Sequence, residues 1–355
     1  MKKIIFFHLY NDISGSPQVL SSVIRGIKSK GFDVELYTSH TDGFLSGIKG
    51  VKYHTFSYKW TTNRFLTFLR LIYAQLYMFI AACRYNRDEV VFYINTICPF
   101  APALAGRLKN IPVVYHVHEV YVKPNLLHKI YFWMWKRLSS YTFFVSKYVQ
   151  NQYDRGSIQA KVIYNALSKD FLDKMIPKKE ATEKRNILMI SSLKEYKGLK
   201  QLVKLAEMMP EYRFRLIVNS DSRSTESFFE TIPSNLIILP AQKNIHHYLS
   251  EADVLLNLTI PSLCIETFGL TILEAMAYGI PVICPPVGGP LELVDNGQNG
   301  FQIDSRNLDE MSNKIRYITN SNDYNRFSNN AKRKSECFNE EAMITSIEEQ
   351  LKKLS

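Results

Sequence analysis

Cysteine is scarce in this chain and follows no pairing pattern. The 355 residues contain five cysteines, an odd number. They stand at Cys83, Cys98, Cys264, Cys284 and Cys337. None forms a Cys-x-x-Cys pair, and their spacing matches no set of metal ligands. The pattern therefore favours a reducing, cytoplasmic compartment and predicts neither a disulfide scaffold nor a bound metal.

Acidic residues are scarce in the first half of the chain. Residues 1–165 contain 21 Lys and Arg against 8 Asp and Glu, whereas residues 166–355 contain 23 against 25. The two halves therefore carry formal charges of +13 and −2, within a total of +11. A basic half attracts nucleic acid or anionic lipid. No recognised nucleic-acid-binding motif is present, so we expect no nucleic-acid partner.

Long uninterrupted hydrophobic runs are also missing. The N-terminus, MKKIIFFHLYND, is broken by polar residues and predicts a first strand rather than a signal peptide. Phe65 to Cys83 is the most apolar window, but Arg70 and Gln75 lie inside it, which favours a buried or interfacial helix over a membrane span. Leu126 to Phe144 interleaves aromatic and basic residues. An anionic membrane surface and a core helix with a solvated basic edge explain that segment equally well.

What the chain does contain is an alternation of β-rich apolar runs with helical patterns, which is typical of a parallel sheet covered by helices. The pattern restarts after a Lys-rich stretch. We therefore predict two Rossmann-like, doubly wound α/β domains facing each other across a cleft. The predicted boundaries are 1–166 for the first domain, 167–185 for a linker, 186–335 for the second domain and 336–355 for a helix that packs back on the body.

Two glutamates, Glu266 and Glu274, lie in one of the least polar parts of the chain, PSLCIETFGLTILEAMAYGIPVICPP. The pattern predicts a strand, a loop carrying Glu266, a helix over residues 268–278 ended by Gly279, and another strand. Amides at a helix N-terminus bind anions, typically phosphate. These would be the amides of Thr267, Phe268, Gly269 and Leu270. From spacing alone, a ligand-binding site and a pair of structural carboxylates remain equally open.

The stretch from Pro261 to Gly300 closely resembles the signature of retaining glycosyltransferases of family 4, which have the GT-B fold. The matching residues are Pro261, Ser262, Glu266, Phe268, Gly269, Glu274, Gly279, Pro281, Gly288, Gly289, Glu292, Asn296, Gly297 and Gly300. Shorter matches lie at VIYNALSKDF, Val162 to Phe171, and at ISSLKEYKGLKQLVKLAEMM, Ile190 to Met209. The resemblance covers the second domain well and the first loosely.

The resemblance implies a role for each matching residue. Glu266 would contact the hydroxyls of the donor sugar, and Glu274 would accept hydrogen bonds from the nucleotide ribose. Lys197 would neutralise the diphosphate together with the helix amides, without a metal. One departure concerns Ser192, which stands where the family usually has an arginine; Lys194 is a candidate to replace that cation.

In the first domain the resemblance is partial. Gly15 and Ser16 follow the first strand, where the family's loop approaches the diphosphate and the acceptor, although an ordinary turn explains them equally well. His118 matches a histidine that the family often has near the acceptor. A core histidine bonded to a neighbouring carbonyl is the competing interpretation. His116 and His118 share one side of a strand, but two histidines alone do not make a metal site.

The resemblance therefore implies a retaining, metal-independent glycosyltransferase with no cofactor. Its donor would be a nucleoside-diphosphate sugar, with UDP or GDP as the nucleotide. Its acceptor would be a membrane-associated glycan or lipid-linked molecule in surface polysaccharide synthesis, at the inner face of the cytoplasmic membrane. A sugar-nucleotide epimerase-like enzyme and a catalytically weak nucleotide-sugar-binding protein are the alternatives.

Overall fold

The chain forms two compact units in the computed structural model, which describes residues 3–122, 124–153, 159–179, 185–220, 222–242, 244–320 and 322–354. Unit 1 comprises Met1–Asn165 and Glu340–Ser355, and unit 2 comprises Ala166–Asn339. Each unit is a parallel sheet with helices packed on it.

Unit 1 is built on a seven-stranded sheet with the order β3-β2-β1-β4-β5-β6-β7. Its strands are β1 (Lys3–Phe7), β2 (Val34–Ser39), β3 (Lys52–Phe56), β4 (Val90–Asn95), β5 (Val113–Val117), β6 (Tyr141–Phe144) and β7 (Ala160–Val162). Its helices are α1 (Gly15–Ser29), α2 (Arg64–Ala82), α3 (Ala101–Leu108), α4 (Asn125–Leu138) and α5 (Lys147–Tyr153). The central strand β4 is buried at every residue, as its apolar run VVFYI requires.

Unit 2 is built on a six-stranded sheet with the order β10-β9-β8-β11-β12-β13. Its strands are β8 (Asn186–Ser192), β9 (Arg213–Asn219), β10 (Leu236–Pro240), β11 (Val254–Leu256), β12 (Val282–Cys284) and β13 (Gly300–Gln302). Its helices are α6 (Lys169–Asp173), α7 (Leu199–Met208), α8 (Ser222–Phe228), α9 (His246–Glu251), α10 (Leu270–Ala277), α11 (Pro290–Leu293), α12 (Leu308–Asn320) and α13 (Tyr324–Glu336). The last helix of the chain is α14 (Glu340–Leu354).

Both sheets have the doubly wound topology, which confirms the predicted fold class. In each, the strand order reverses beside the first strand: between β1 and β4 in unit 1, and between β8 and β11 in unit 2. Loops that leave the carboxyl ends of strands on either side of such a reversal part to opposite faces of the sheet and leave a crevice. The two crevices are therefore the places where the fold favours a ligand site.

The boundaries of the units differ from those predicted from the sequence. The expected linker at 167–185 lies in unit 2 and contains α6, which begins where the Ser168 hydroxyl accepts a hydrogen bond from the Phe171 amide at 3.1 Å. Residues 180–184 of that segment lie outside the described residues. The C-terminal helix α14 spans Glu340–Leu354, and it packs on α1 within unit 1. A side chain at Gly26 of α1 would collide with Ile344, so the glycine permits this contact.

Candidate functional site

Lys197 and Glu266 form an ion pair across the crevice of unit 2. Lys197 ends the one-turn 3-10 helix Glu195–Lys197 that follows β8, and Glu266 lies in the loop that follows β11. The Lys197 Nζ donates to Glu266 Oε2 at 2.6 Å across 69 residues of sequence. Their side chains are 21% and 24% exposed, so the pair is shielded yet a ligand in the crevice can reach it.

The two groups hold each other in their charged forms. The nearby Lys197 ammonium keeps the pKa of Glu266 below its usual value, although burial works in the other direction. Burial alone would lower the pKa of Lys197, but attraction to the Glu266 carboxylate leaves it raised. At neutral pH the site therefore presents one cation and one anion side by side.

A glycine and a backbone hydrogen bond fix the position of Lys197. Gly198 adopts φ +74°, which favours glycine, and a side chain there would collide with the backbone of Leu258. The Ile260 amide donates to the Tyr196 carbonyl at 2.8 Å, which joins the lysine turn to the loop after β11. The turn and the loop are thus held as one structure.

The loop at Gly288 and Gly289 packs against the backbone of Glu266 and holds it in place. The Gly289 amide donates to the Glu266 carbonyl at 2.9 Å. Gly288 adopts φ +91°, and a Cβ atom there would meet the Glu266 carbonyl, whereas one at Gly289 would meet the backbone of Thr267. These glycines are required because two segments of backbone pass in direct contact.

Helix α10 starts at Leu270, four residues after Glu266. Gly269 precedes it with φ +106°, and the buried Phe268 ring packs edge-on against Phe338 at 5.7 Å. The first amides of a helix have no acceptor inside the helix, and its N-terminus carries partial positive charge. The residues from Thr267 to Leu270 therefore place this positive end beside Glu266.

Glu274 and Ser192 lie near this centre in sequence but in different surroundings. Glu274 is on α10 among buried residues and is only 4% exposed, so it is more enclosed than Glu266. Ser192 ends β8, and its carbonyl accepts the Lys194 amide at 2.9 Å. The Lys194 side chain is exposed. The end of β8 thus has a half-buried serine in place of the arginine that the resemblance implies.

Two further residues contact the ion pair, and sequence reasoning missed both. Thr259 Oγ1 lies 3.4 Å from Lys197 Nζ. Asn257 hydrogen-bonds to the Glu266 carboxylate, which contributes to its low pKa, and also accepts the Thr259 amide at 3.2 Å. Their signal was their position directly after β11, at the carboxyl end of a strand beside the reversal.

In unit 1, a buried polar cluster lies at the corresponding crevice. Asn95, the last residue of β4, connects His8 after β1, His118 after β5 and Ser16 of α1. The Asn95 Nδ2 lies 3.2 Å from the Ser16 carbonyl and 3.1 Å from His8 Nδ1, and Oδ1 lies 2.9 Å from His118 Nε2. Ser16 is thus tied into this crevice through its carbonyl, and Gly15 is the first residue of α1.

This network determines the tautomers of both histidines. The Ser16 carbonyl can only accept, so the Asn95 amide nitrogen must face it, and the oxygen must face His118. His118 Nε2 therefore carries a proton, as does His8 Nε2, which donates to the Tyr10 carbonyl at 2.8 Å. Burial lowers the pKa of His8 to about 4 and holds the pKa of His118 well below its usual value. Both imidazoles are neutral at physiological pH.

His116 lies in the core beside this cluster. It is fully buried, its Nδ1 is 2.9 Å from the Tyr93 hydroxyl, and burial lowers its pKa to about 3. Its ring is centred 4.5 Å from that of His118. Among the residues that the structure describes, no group of three His, Cys, Asp or Glu side chains is arranged to hold a metal ion.

The backbone beside Asn95 is strained. Thr96 adopts φ +72°, which is rare for a β-branched residue, and its amide is held by the His116 carbonyl at 2.8 Å. Glu119 lies nearby with its carboxylate against the amides of Ile97 and His118, both at 3.3 Å. Burial raises its pKa to about 7. Strain and a shifted carboxyl group at a crevice are typical of a functional site.

Comparison with known proteins finds one matching family model for the first half of the chain and one for the second half. The family model described as Glycosyltransferase Family 4 matches residues 13–171, and the model Glycosyl transferases group 1 matches residues 171–334. An uncharacterized glycosyltransferase of Methanocaldococcus jannaschii is 25% identical over 341 residues, covering 90% of this chain and 94% of that protein. Sucrose synthase of Melioribacter roseus is 53% identical over 57 residues, which cover 16% of this chain and only 7% of the synthase.

The fold also matches solved structures over its full length. Anabaena HepE in complex with UDP-glucose superposes with a TM-score of 0.80 at 19% identity, covering 99% of this chain and 100% of HepE. Sucrose-phosphate synthase from Thermosynechococcus elongatus gives a TM-score of 0.80 at 17% identity, covering 100% and 99% of the two chains. At these identities the match establishes the architecture, which is GT-B.

Proposed function

We propose, on the premise that the chain belongs to the family-4 glycosyltransferases with the GT-B fold, that it transfers a sugar from a nucleoside-diphosphate sugar to another molecule. The acceptor in this proposal is a membrane-associated glycan or lipid-linked molecule in surface polysaccharide synthesis. Transfer then takes place at the cytoplasmic face of the membrane.

The observation that carries the proposal is the Lys197–Glu266 pair at the N-terminus of α10. A diphosphate needs positive charge, and the Lys197 ammonium and the helix N-terminus supply it from two directions. The sugar attached to that diphosphate needs hydrogen-bond acceptors for its hydroxyls, and Glu266 is ionised at that point. One side of the site thus suits the leaving group and the other suits the sugar.

In the proposed reaction, the bond between the anomeric carbon and the diphosphate oxygen breaks while the acceptor oxygen bonds to the same carbon. Negative charge develops on the departing diphosphate, where Lys197 and the amides from Thr267 to Leu270 stabilise it. The buried Glu274 is assigned to the nucleotide ribose hydroxyls. No metal ion is required in this scheme because the protein itself provides the charge.

We extend the proposal to retention of configuration, with transfer on the same face of the sugar. The departing phosphate oxygen takes the proton of the acceptor hydroxyl, so charge and protons balance without a protein nucleophile. Proton NMR of the fresh product tests this step, because the coupling constant of the new anomeric proton distinguishes the two configurations. An inverted product would refute it.

Unit 1 is assigned to the acceptor. His118 is neutral and its ring is oriented by Asn95, which suits a group that hydrogen-bonds an incoming hydroxyl. Gly15 and Ser16 begin α1 at the same crevice. We assign this N-terminus to the acceptor.

Nucleotide specificity is tested by thermal unfolding with UDP-, GDP- and ADP-sugars, since selective binding raises the unfolding temperature by mass action. UDP-glucose is the first choice because HepE was solved with it. The serine at position 192 favours weaker donor binding than an arginine would give. Tight binding without transfer or hydrolysis would identify a binding protein, and conversion of the donor without an acceptor would identify an epimerase-like enzyme.

The decisive experiment compares Glu266→Ala with Glu207→Ala, an exposed glutamate of α7 in the same unit. We expect Glu266→Ala to lower kcat/KM by a factor of about 100 or more. Glu207→Ala should leave it within about twofold. Equal turnover of the two variants, both folded by circular dichroism, would refute the site.

A further inference from the structure

Helix α2 has two apolar faces, and only one of them packs on the protein. Ala74, Met78, Ala81 and Ala82 are buried against the core of unit 1. The opposite face exposes eight large apolar side chains, each between 39% and 71% accessible. They are Phe65, Leu66, Phe68, Leu69, Ile72, Tyr73, Leu76 and Ile80. At 3.6 residues per turn they share an arc of about 160°, with no charged residue among them.

The exposed apolar area continues over two neighbouring helices. Helix α2 packs on α3, and α3 packs on α4. Together with Trp60 before α2, these helices expose Leu104, Leu108, Leu126, Ile130 and Trp133. We call the exposed apolar residues of this group the α2–α4 surface. Contiguous exposed apolar area of this kind marks an interaction site rather than ordinary protein surface.

The charge of these three helices has one sign. They contain six Lys and Arg residues and no Asp or Glu. The six are Arg64, Arg70, Arg107, Lys129, Lys136 and Arg137. An apolar face bordered by cations without a single carboxylate complements one kind of partner, namely an apolar layer covered by anionic groups.

We propose that the α2–α4 surface docks unit 1 on an anionic lipid bilayer, with the outer face of α2 inserted at the level of the headgroups. This inference deepens the proposed function, since it names the surface that brings the enzyme to a membrane-associated acceptor. The inserted side chains lie in the apolar layer, and the surrounding Lys and Arg side chains contact lipid phosphates.

Two other arrangements fit the structure less well. A symmetric dimer through this surface would bring two sets of six cations together without an acidic partner, which is repulsive. By length and composition α2 could cross a membrane. A spanning α2 would have to leave the core, however, where Ala74, Met78 and Ala82 are fully buried.

The protein contains a natural probe of this surface. Its three tryptophans are Trp60, Trp133 and Trp135. Trp60 and Trp133 are each 60% exposed on the α2–α4 surface, whereas Trp135 is buried. Insertion should therefore shift the tryptophan emission to shorter wavelength. The shift should decrease in Trp133→Phe.

The test is co-sedimentation of the full chain with phosphatidylcholine vesicles that contain either no phosphatidylglycerol or about 30% of it. We expect at least about tenfold tighter binding to the anionic vesicles, lost as salt rises to about 0.5 M. Leu69→Ser with Leu76→Ser should weaken binding about tenfold or more. Arg70→Gln with Lys136→Gln should weaken binding to anionic vesicles only.

The matched control is Ile232→Ser with Ile237→Ser, which removes two exposed isoleucines from unit 2. It should bind vesicles as the native chain does. Equal binding to both vesicle types, or unchanged binding of the Leu69/Leu76 variant, would overturn the proposal. So would a solution dimer that the same variant dissociates.

Donor binding separates this proposal from the proposed function. The stabilisation by UDP-glucose, measured without vesicles, should be the same in the surface variants and the native chain. If no nucleotide sugar binds while anionic vesicles do, the proposed function fails and the docking surface stands. The opposite pattern overturns the docking surface alone.

Discussion

The Lys197–Glu266 pair is half-buried, so each partner depends on the other for its stability. Lys197→Met leaves the Glu266 carboxylate without its cation. We expect the free energy of unfolding at about pH 7 to fall by about 1–3 kcal/mol, between the values for exposed and buried pairs. Urea unfolding provides the measurement.

The pH dependence of this loss has a defined sign. The pKa of Glu266 is depressed in the folded chain, so its contribution is present above the unfolded pKa and is lost as pH falls through the folded one. The difference in unfolding free energy between the native chain and Lys197→Met should therefore become smaller as the pH falls. Lys200→Met removes an exposed pair with Glu195 and serves as the control. An equal loss in both variants would contradict the prediction.

The buried histidines of unit 1 predict instability in acid. The pKa of His8 falls from 6.5 to about 4 on folding because of burial, and that of His116 to about 3. In this window the unfolded chain binds more protons, so stability rises with pH and falls on acidification. The pKa shift of His8 alone corresponds to roughly 3 kcal/mol of folding stability, which is lost in full once the pH falls below the folded pKa. Glu119 opposes this trend, because its pKa is raised to about 7 and it favours the folded state below that pH.

Urea unfolding at about pH 7 and about pH 5, followed by tryptophan emission, tests this balance, since all three tryptophans belong to unit 1. Glu119→Gln should make the acid loss steeper, because it removes the opposing group. If the stability of unit 1 in Glu119→Gln does not change over this range, the histidines titrate normally and the prediction is wrong.

At the scale of elements, the conformation of the loop around Glu266 depends on Gly288 and Gly289, whose backbone contacts that loop. Gly289→Ala should displace the Thr267 backbone and lower donor affinity about tenfold or more, with the fold retained. Gly297→Ala is the matched control. Its φ of +76° strains an alanine by about 1 kcal/mol, but open space surrounds the new methyl group. Unfolding temperatures with and without UDP-glucose measure both effects.

The central strands and α10 could be predicted from sequence because apolar runs and glycine stops are local signals. The short strands β3, β7 and β13 carry no comparable signal. Alternating polar residues in β3 and lengths of three residues in the other two leave little pattern to detect. Helix α2 was ambiguous because it is apolar around its circumference, and only the packed structure shows which arc is exposed.

The candidate site likewise has residues that local sequence signals predict and residues that only the folded structure reveals. Glu266 and the helix behind it are contiguous in sequence, so the motif indicated them together. The ion pair with Lys197 and the contacts of Asn257 and Thr259 depend on strands β8 and β11 being neighbours. That adjacency follows from the order of the strands in the sheet, which the local hydrophobic periodicity of the sequence does not reveal.

At the scale of the whole molecule, unit 1 needs the last helix of the chain. Ile344 of α14 is buried against Gly26 of α1. Ile344→Ser should lower the stability of unit 1 by about 2–5 kcal/mol. Hydrogen exchange should accelerate in α1 and α14 and remain unchanged in β8 and β11. Glu349→Ser, an exposed change on the same helix, is the control, and equal acceleration in both units would contradict the division.

The return of α14 to unit 1 makes unit 2 an insertion within another domain. The chain enters unit 2 and leaves it at adjacent points, since Leu167 and Asn339 form an isolated bridge. Residues 166–339 are therefore one continuous cassette that includes Lys197 and Glu266. Recombination between related genes can replace this cassette and keep unit 1 whole. A single crossover in the middle of the gene would instead pair α1 with a foreign α14, so unit 2 is exchanged most safely at both junctions.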